Sequence, residues 1–200
     1  MSIESEIAKQ YEEFYRQNDW STFKYAADYY LENAAKVLKK DIKYQDDTMK
    51  LLFRNIQKRL YIGIACELLL KAIYLKAGYV INKRKIRDKP KGSAPFLANQ
   101  ISNNDFLTNK TLTFNDLLQK IFKVINIQGI DKKIVDKGLR IAKVFRNKEG
   151  HSISLVHKYD PQNYRDIEEC LRLLYKQVFN EDLSLVIAFG ADEIGIFKIN

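Results

Sequence analysis

The chain has 200 residues and a mass of 23.4 kDa, a length typical of one domain with its own hydrophobic core. Hydrophobic residues make up 46% of it, with only 8 Gly and 3 Pro, which excludes collagen-like, low-complexity and disordered chains and favours a helix-rich protein. The net charge of +9 attracts phosphate-bearing polymers or anionic membranes and does not by itself identify either.

The cysteines and the apolar segments indicate where the protein works. Cys66 and Cys170 are too few and too far apart for a disulfide framework or a zinc site, so we expect a reducing, cytoplasmic environment and neither metal nor other cofactor. The N-terminus lacks the charged and apolar regions of a signal peptide. The most apolar stretch, residues 61–75, is shorter than the ~20 residues of a membrane span and carries Glu67 and Lys71, so we expect no membrane partner.

Apolar residues recur at three- and four-residue steps and predict an all-α body of about six helices. The predicted helices run from Ile3 to Tyr15, Phe23 to Leu38, Asp46 or Asp47 to Leu75, Thr113 to Ile125, Asp131 to Phe145 and Asp160 to Val178. Gly78 is expected to end the third helix, while Thr113 with Asp116 and Asp160 with a following proline are typical helix starts. Residues 1–180 are therefore predicted to form one helical domain.

Two segments interrupt this pattern. Residues 82–112 contain Pro90, Gly92 and Pro95 without helical periodicity, which predicts a long loop insertion. The loop carries a basic run that either follows an RNA backbone or is a solvated surface: Lys83, Arg84, Lys85, Arg87, Lys89 and Lys91. The tail, residues 181–200, has two apolar runs around a turn and predicts a short C-terminal β-hairpin.

The residues best suited to chemistry form the run Arg146-Asn147-Lys148-Glu149-Gly150-His151 at the end of the fifth predicted helix. A histidine can transfer protons near neutral pH, and a guanidinium can hold a phosphate through two hydrogen bonds, which together suit cleavage of a phosphodiester. A helix break at Gly150 would let Arg146 and His151 converge on one cleft. Alternatively, both residues solvate a helix end and cap its carbonyl groups. His157 has no visible partner and is expected on the surface.

A pair of charges stands in the otherwise apolar third helix. Glu67 and Lys71 are four residues apart, and burying a charge costs several kcal/mol unless it is paired. They either form a salt bridge with each other, or Glu67 orients Arg146 or His151 across the helices. The two arrangements are compatible.

Three features resemble the HEPN domains (higher eukaryotes and prokaryotes nucleotide-binding). These are the E-x3-K pattern at Glu67, the helix opening at residues 112–118, and the spacing of Arg146, Asn147 and His151. The resemblance covers roughly residues 20 to 180 and implies a HEPN-like bundle of four to six helices. The charged residues 148–150 depart from the apolar filling that is commoner in the family, and neither the basic loop nor the tail maps onto it.

In that family the R-x4-6-H residues form a metal-independent endoribonuclease site, commonly shared across a homodimer, and many members are inactive. The resemblance implies that Arg146 and His151 are catalytic, Asn147 an auxiliary polar group and Glu67 a supporting residue. It predicts an endoribonuclease of the toxin or phage-defence type, with RNA as substrate and an antitoxin or defence-system protein as partner. The alternative is a catalytically silent dimeric module that binds nucleic acid or protein.

Overall fold

The computed structural model describes residues 2–37, 47–85, 95–100, 102–151 and 160–183, and helices form 75% of them. The six helices are α1 (Ile3–Gln10), α2 (Trp20–Lys36), α3 (Asp47–Lys76), α4 (Phe114–Val124), α5 (Gly129–His151) and α6 (Pro161–Leu174), the last followed by a π-helical turn (Tyr175–Phe179). The prediction of a mainly helical chain with six helices is confirmed. The predicted tail hairpin and His157 lie outside the described residues.

Four short strands correct the all-α prediction: β1 (Tyr79–Val80), β2 (Asn82–Arg84), β3 (Phe96–Leu97) and β4 (Phe106–Thr111). They form two antiparallel pairs, β1 with β3 and β2 with β4. The described parts of residues 82–112 are therefore not simply a loop. Strands β1 to β3 have only two or three residues each, too few for an alternating pattern. The six residues of β4, FLTNKT, do not alternate between apolar and polar, so the sequence does not reveal this strand either.

Helix ends follow the local chemistry that the sequence indicates. Thr113 caps α4, and its backbone N–H donates to the Asp116 carboxylate at 2.9 Å, which completes a capping box. Asp160 caps α6 by accepting a hydrogen bond from the backbone N–H of Gln162. After α3, Gly78 has a φ of +83°, a conformation that glycine adopts without a Cβ penalty.

The fifth helix is longer than predicted. The sequence places its end at Phe145, where the apolar face stops, but α5 continues without interruption to His151. A break at Gly150, the condition under which Arg146 and His151 would converge, is not found in α5, whose last turns hold a buried ion pair in place of apolar contacts. The Arg146–His151 run lies inside a helix and not after one.

The chain divides into two compact units. Unit 1 comprises the described residues up to 24 and those between 69 and 126, and unit 2 those between 25 and 68 and from 127 onward. The single domain over residues 1–180 stays a prediction. In unit 2, α5 packs against α6 so closely that a Cβ added to Gly138 would lie 2.7 Å from the Asp166 carbonyl oxygen.

Unit 1 is tied together by the buried side chain of Asn82. Its amide nitrogen lies within hydrogen-bonding distance of three backbone carbonyls, those of Glu13, Leu107 and Thr108, at 3.1 to 3.2 Å. Its oxygen accepts a hydrogen bond from the backbone N–H of Tyr15 at 2.9 Å. One side chain thus satisfies backbone groups of the N-terminal segment and of β4, which would otherwise be costly to bury.

Candidate functional site

An ion pair joins two of the predicted site residues. The Nε of Arg146, on α5, donates to Oε2 of Glu67, on α3, at 2.9 Å. The Glu67 side chain is 14% exposed and that of Arg146 36% exposed, so the carboxylate is the more buried partner. Of the arrangements that the sequence leaves open for Glu67, the contact with Arg146 is present in the structure, and it orients the guanidinium at the surface of unit 2.

The approach of α3 to α5 depends on a glycine. A Cβ added to Gly63 would lie 2.6 Å from both the Cβ and the backbone nitrogen of Arg146. Real Cβ atoms do not come this close to backbone, so the absence of a side chain at Gly63 lets α5 pack there. Gly63 stands one helical turn before Glu67, and the same approach brings Arg146 within reach of that carboxylate.

The other members of the motif lie along α5. Asn147 is exposed, and His151 is the last residue of the helix, with its side chain outside the described residues. On a continuous helix, positions 146 and 151 differ by about 140° around the axis. The structure therefore does not bring these two positions onto one face of the helix, as a break at Gly150 would have done.

A second ion pair, which is buried, includes Glu149 of the motif. The Nε of Arg59, on α3, donates to Oε1 of Glu149 at 2.7 Å, and the two side chains are only 3% and 0% exposed. Burial disfavours the charged form of Arg59, but its contacts with Tyr164 and Glu149 outweigh that cost and raise the pKa of the guanidinium. Glu149 is thus an anchor within the motif, which accounts for a charged residue where the resembled family more often has an apolar one.

Sequence reasoning missed this pair, although a signal for it exists. Ala142 and Phe145 are buried on α5, and Glu149 takes the next position of the same face, four residues on. Arg59 likewise precedes the buried residues Ile62 and Cys66 at helical steps on α3. Two opposite charges, each at the next position of a buried helix face, indicate a buried ion pair.

The exposed side of α5 forms a groove with a cavity of about 300 Å³. Its lining residues are Arg140, Lys143, Val144, Asn147 and Lys148. Asn147, a predicted site residue, thus lines the groove next to three cationic side chains. A polar amide among cations is a suitable environment for the oxygen atoms of a phosphate.

The predicted nucleic-acid-binding residues lie in unit 1 as far as they are described. Lys83 and Arg84 belong to β2 and Lys85 follows it, whereas Arg87, Lys89 and Lys91 lie outside the described residues. Lys83 lies 3.8 Å from the Asp116 carboxylate. The guanidinium of Arg84 lies 5.5 Å from the centre of the Phe96 ring, a cation–π contact. These contacts hold both cations against unit 1.

Comparisons with protein families, curated proteins and solved structures find no match to this chain. No helix among the described residues combines the length and the apolar character needed to cross a bilayer.

Proposed function

We propose that the protein is a HEPN-like, metal-independent endoribonuclease of the toxin or phage-defence type that acts in the cytoplasm as a homodimer. The observation that carries the proposal is the Arg146–Glu67 ion pair, which fixes a guanidinium at the surface of unit 2. Arg146 is the first residue of the motif that ends in His151, and the proposed reaction uses both residues.

The proposed reaction uses the substrate's own nucleophile. The 2'-hydroxyl of the RNA attacks the adjacent phosphorus while a histidine takes its proton, and the 5'-oxygen of the next nucleotide leaves as it receives a proton. Arg146 stabilises the charge that develops on the phosphoryl oxygens, and Glu67 holds Arg146 in place for this. The products are a 2',3'-cyclic phosphate and a 5'-hydroxyl.

A homodimer completes such a site. One chain supplies a single Arg146 and a single His151, at helical positions about 140° apart. Two copies about a twofold axis supply two histidines around one phosphate, so one acts as base and the other as acid. We therefore expect light scattering to give about twice 23.4 kDa. A monomer at high micromolar concentration would contradict the shared site.

Cleavage of single-stranded RNA in EDTA tests the proposal. Wild-type protein should leave 2',3'-cyclic phosphate ends and spare DNA of the same sequence, because DNA lacks the nucleophile. His151→Ala and Arg146→Ala should each abolish cleavage while circular dichroism stays unchanged. Arg146→Lys should recover little activity, because an ammonium group cannot make the two-point contact. The matched control, His157→Ala, should cut normally.

A further variant separates the role of Glu67 from that of the fold. Glu67→Gln keeps the shape and a hydrogen-bond acceptor but removes the charge that positions Arg146. We expect kcat to fall by at least about tenfold with KM nearly unchanged, since the loss is one of orientation in the transition state. The catalytic proposal would be refuted if the wild-type dimer left RNA uncut, or if the alanine variants cut RNA as well as wild type.

The second candidate is a catalytically silent dimeric module of the same fold that binds nucleic acid or a partner protein, such as an antitoxin or a defence-system component. The continuous α5 favours it, because Arg146 faces Glu67 while position 151 lies on another side of the helix. A folded dimer that binds RNA without cutting it, in wild type and His151→Ala alike, would identify this function.

A further inference from the structure

One face of α5 carries a row of basic residues apart from the Arg146–Glu67 pair. This cationic stripe consists of Lys133, Lys137, Arg140, Lys143 and Lys148. Successive positions of an α-helix are 100° apart, so these five fall within an arc of about 140°. Position 151 lies within the same arc, exactly five turns after position 133 by the ideal geometry, whereas Arg146 lies outside it.

The stripe concentrates positive charge. Helix α5 contains five lysines and two arginines against Asp131, Asp136 and Glu149, and Glu149 is buried with Arg59. Lys137 lies 2.7 Å from the Asp166 carboxylate, and Arg140 lies 2.6 Å from that of Asp136. A single helix thus contributes a surplus of four charges to the +9 of the whole chain.

Exposure and shape suit a polymer of phosphates. All stripe residues except the half-buried Lys143 are exposed, and the groove of about 300 Å³ lies among Arg140, Lys143 and Lys148. The stripe and position 151 together extend over about 27 Å of helix, longer than a single phosphate or nucleotide needs. Cations that follow one another every three to five residues along one face of a helix suit the repeated charges of an extended nucleic-acid strand.

We infer that the cationic stripe of α5 binds the backbone of single-stranded RNA and leads it along the helix to His151. The inference rests on the proposed function, which makes RNA the occupant. Lysines and arginines on phosphates fix the register of a strand without selecting its bases, so the stripe supplies affinity and direction and leaves the cut to Arg146 and His151. It differs from the basic run after α3, whose described residues, Lys83, Arg84 and Lys85, belong to unit 1.

Binding of a non-cleavable strand tests the stripe on the wild-type protein. The probe is a fluorescein-labelled, single-stranded 2'-O-methyl RNA, which lacks the attacking hydroxyl and therefore survives the measurement. The stripe variant changes Lys133, Arg140, Lys143 and Lys148 together to Gln, and it leaves Lys137 in place because that residue neutralises the buried Asp166. The control changes four exposed lysines outside the stripe to Gln: Lys9, Lys36, Lys110 and Lys123.

Fluorescence anisotropy at several salt concentrations distinguishes the outcomes. Each phosphate neutralised on a single strand contributes about 0.7 to the slope of log K against log salt. The stripe variant should therefore lose about 2 to 3 of this slope, and its Kd near 0.1 M salt should rise at least about tenfold. The control, with the same change in net charge, should keep most of the wild-type slope. Circular dichroism should show both variants folded.

Three results would overturn the inference. Equal losses in both variants would mean that overall charge, and not the stripe, attracts the strand. If the stripe variant binds as tightly as wild type, the strand binds elsewhere. The same conclusion follows if binding is lost only when Lys83, Arg84 and Lys85 are changed. Failure of the proposed function looks different: the stripe then still binds 2'-O-methyl RNA, but wild-type protein leaves unmodified RNA intact.

Discussion

The buried Arg59–Glu149 pair makes each partner dependent on the other. With side chains 3% and 0% exposed, neither charge can be solvated once its partner is removed. We expect Glu149→Ala or Arg59→Ala to lower the free energy of unfolding by about 3–5 kcal/mol, because an uncompensated charge then stays buried. Replacing both residues, as in Arg59→Met with Glu149→Leu, should recover much of that loss. Urea unfolding followed by circular dichroism measures all three variants.

An exposed ion pair on the same helix provides the control. Arg140 lies 2.6 Å from Asp136, four residues earlier, and the Arg140 side chain is 66% exposed. Such pairs contribute about 0.3–0.5 kcal/mol, so Asp136→Asn should change the stability by no more than that. If the loss of either pair lowered the free energy of unfolding by a similar amount, burial would not be what sets the size of the loss.

At the scale of helices, Gly63 controls how closely α5 can approach α3. Gly63→Ala gains about 1 kcal/mol of helix propensity, but its Cβ would lie 2.6 Å from the backbone nitrogen of Arg146. The clash forces the helices apart, so we expect a net loss of about 1–3 kcal/mol in thermal or urea unfolding. RNA cleavage should fall as well, since separation of the helices also lengthens the Arg146–Glu67 contact.

Gln119→Ala is a suitable comparison for Gly63→Ala, since Gln119 is exposed in the middle of α4. It should change stability by less than about 0.5 kcal/mol. A Gly63→Ala variant that is more stable than wild type would show that a Cβ at position 63 fits between α3 and α5.

Local chemistry explains which elements the sequence predicts. Helix α4 and the start of α6 are predicted almost to the residue, because the cap and the apolar face both lie within the element, whereas the predicted end of α6 at Val178 falls in the π-helical turn after Leu174. The end of α5 is missed because its buried face continues with Glu149, which hydropathy counts as surface. Strands β1 to β4 are missed because they exist through pairing with distant residues, as Arg84 pairs with Phe106.

For the candidate site, too, local signals could be read from the sequence and contacts between distant residues could not. The motif itself and the Glu67–Arg146 contact could be anticipated, since an isolated carboxylate in an apolar helix requires a cation nearby. The continuous helix through Gly150 could not, because it depends on Arg59, ninety residues away from Glu149 in the chain. Contacts of this kind become visible only when two helices have been placed side by side.

At the scale of the whole molecule, a buried thiol and a partly buried phenol limit alkaline stability. Burial raises the pKa of Cys66 from 9.0 to about 12. Burial, with the neighbouring Glu13 carboxylate, raises that of Tyr15 from 10.0 to about 12. Unfolding exposes these groups, and they ionise at their ordinary values. Their contribution to stability is therefore complete below about pH 9 and is lost as the pH rises from there to about 12.

Chemical unfolding at pH 8.0 and 10.5 measures this loss. Cys66 alone should account for about 2 kcal/mol between the two, since one pKa unit corresponds to 1.36 kcal/mol. Cys66→Ala should be less stable than wild type at pH 8 because of the cavity, yet lose less on going to pH 10.5. An identical loss in both proteins would show that the Cys66 thiol does not determine the alkaline limit.

The contacts of Asn82 with four backbone groups also set an order in time for synthesis on the ribosome. Asn82 is separated from Tyr15 by 67 positions, so the N-terminal segment leaves the ribosome long before its partner is made. At translation rates of about 5–20 residues per second, the nascent segment waits roughly 3–13 s for Asn82. Unit 1 also needs β4, up to Thr111, for the remaining carbonyls. The segment around Tyr15 is thus fixed in place only after Asn82 and β4 have been translated.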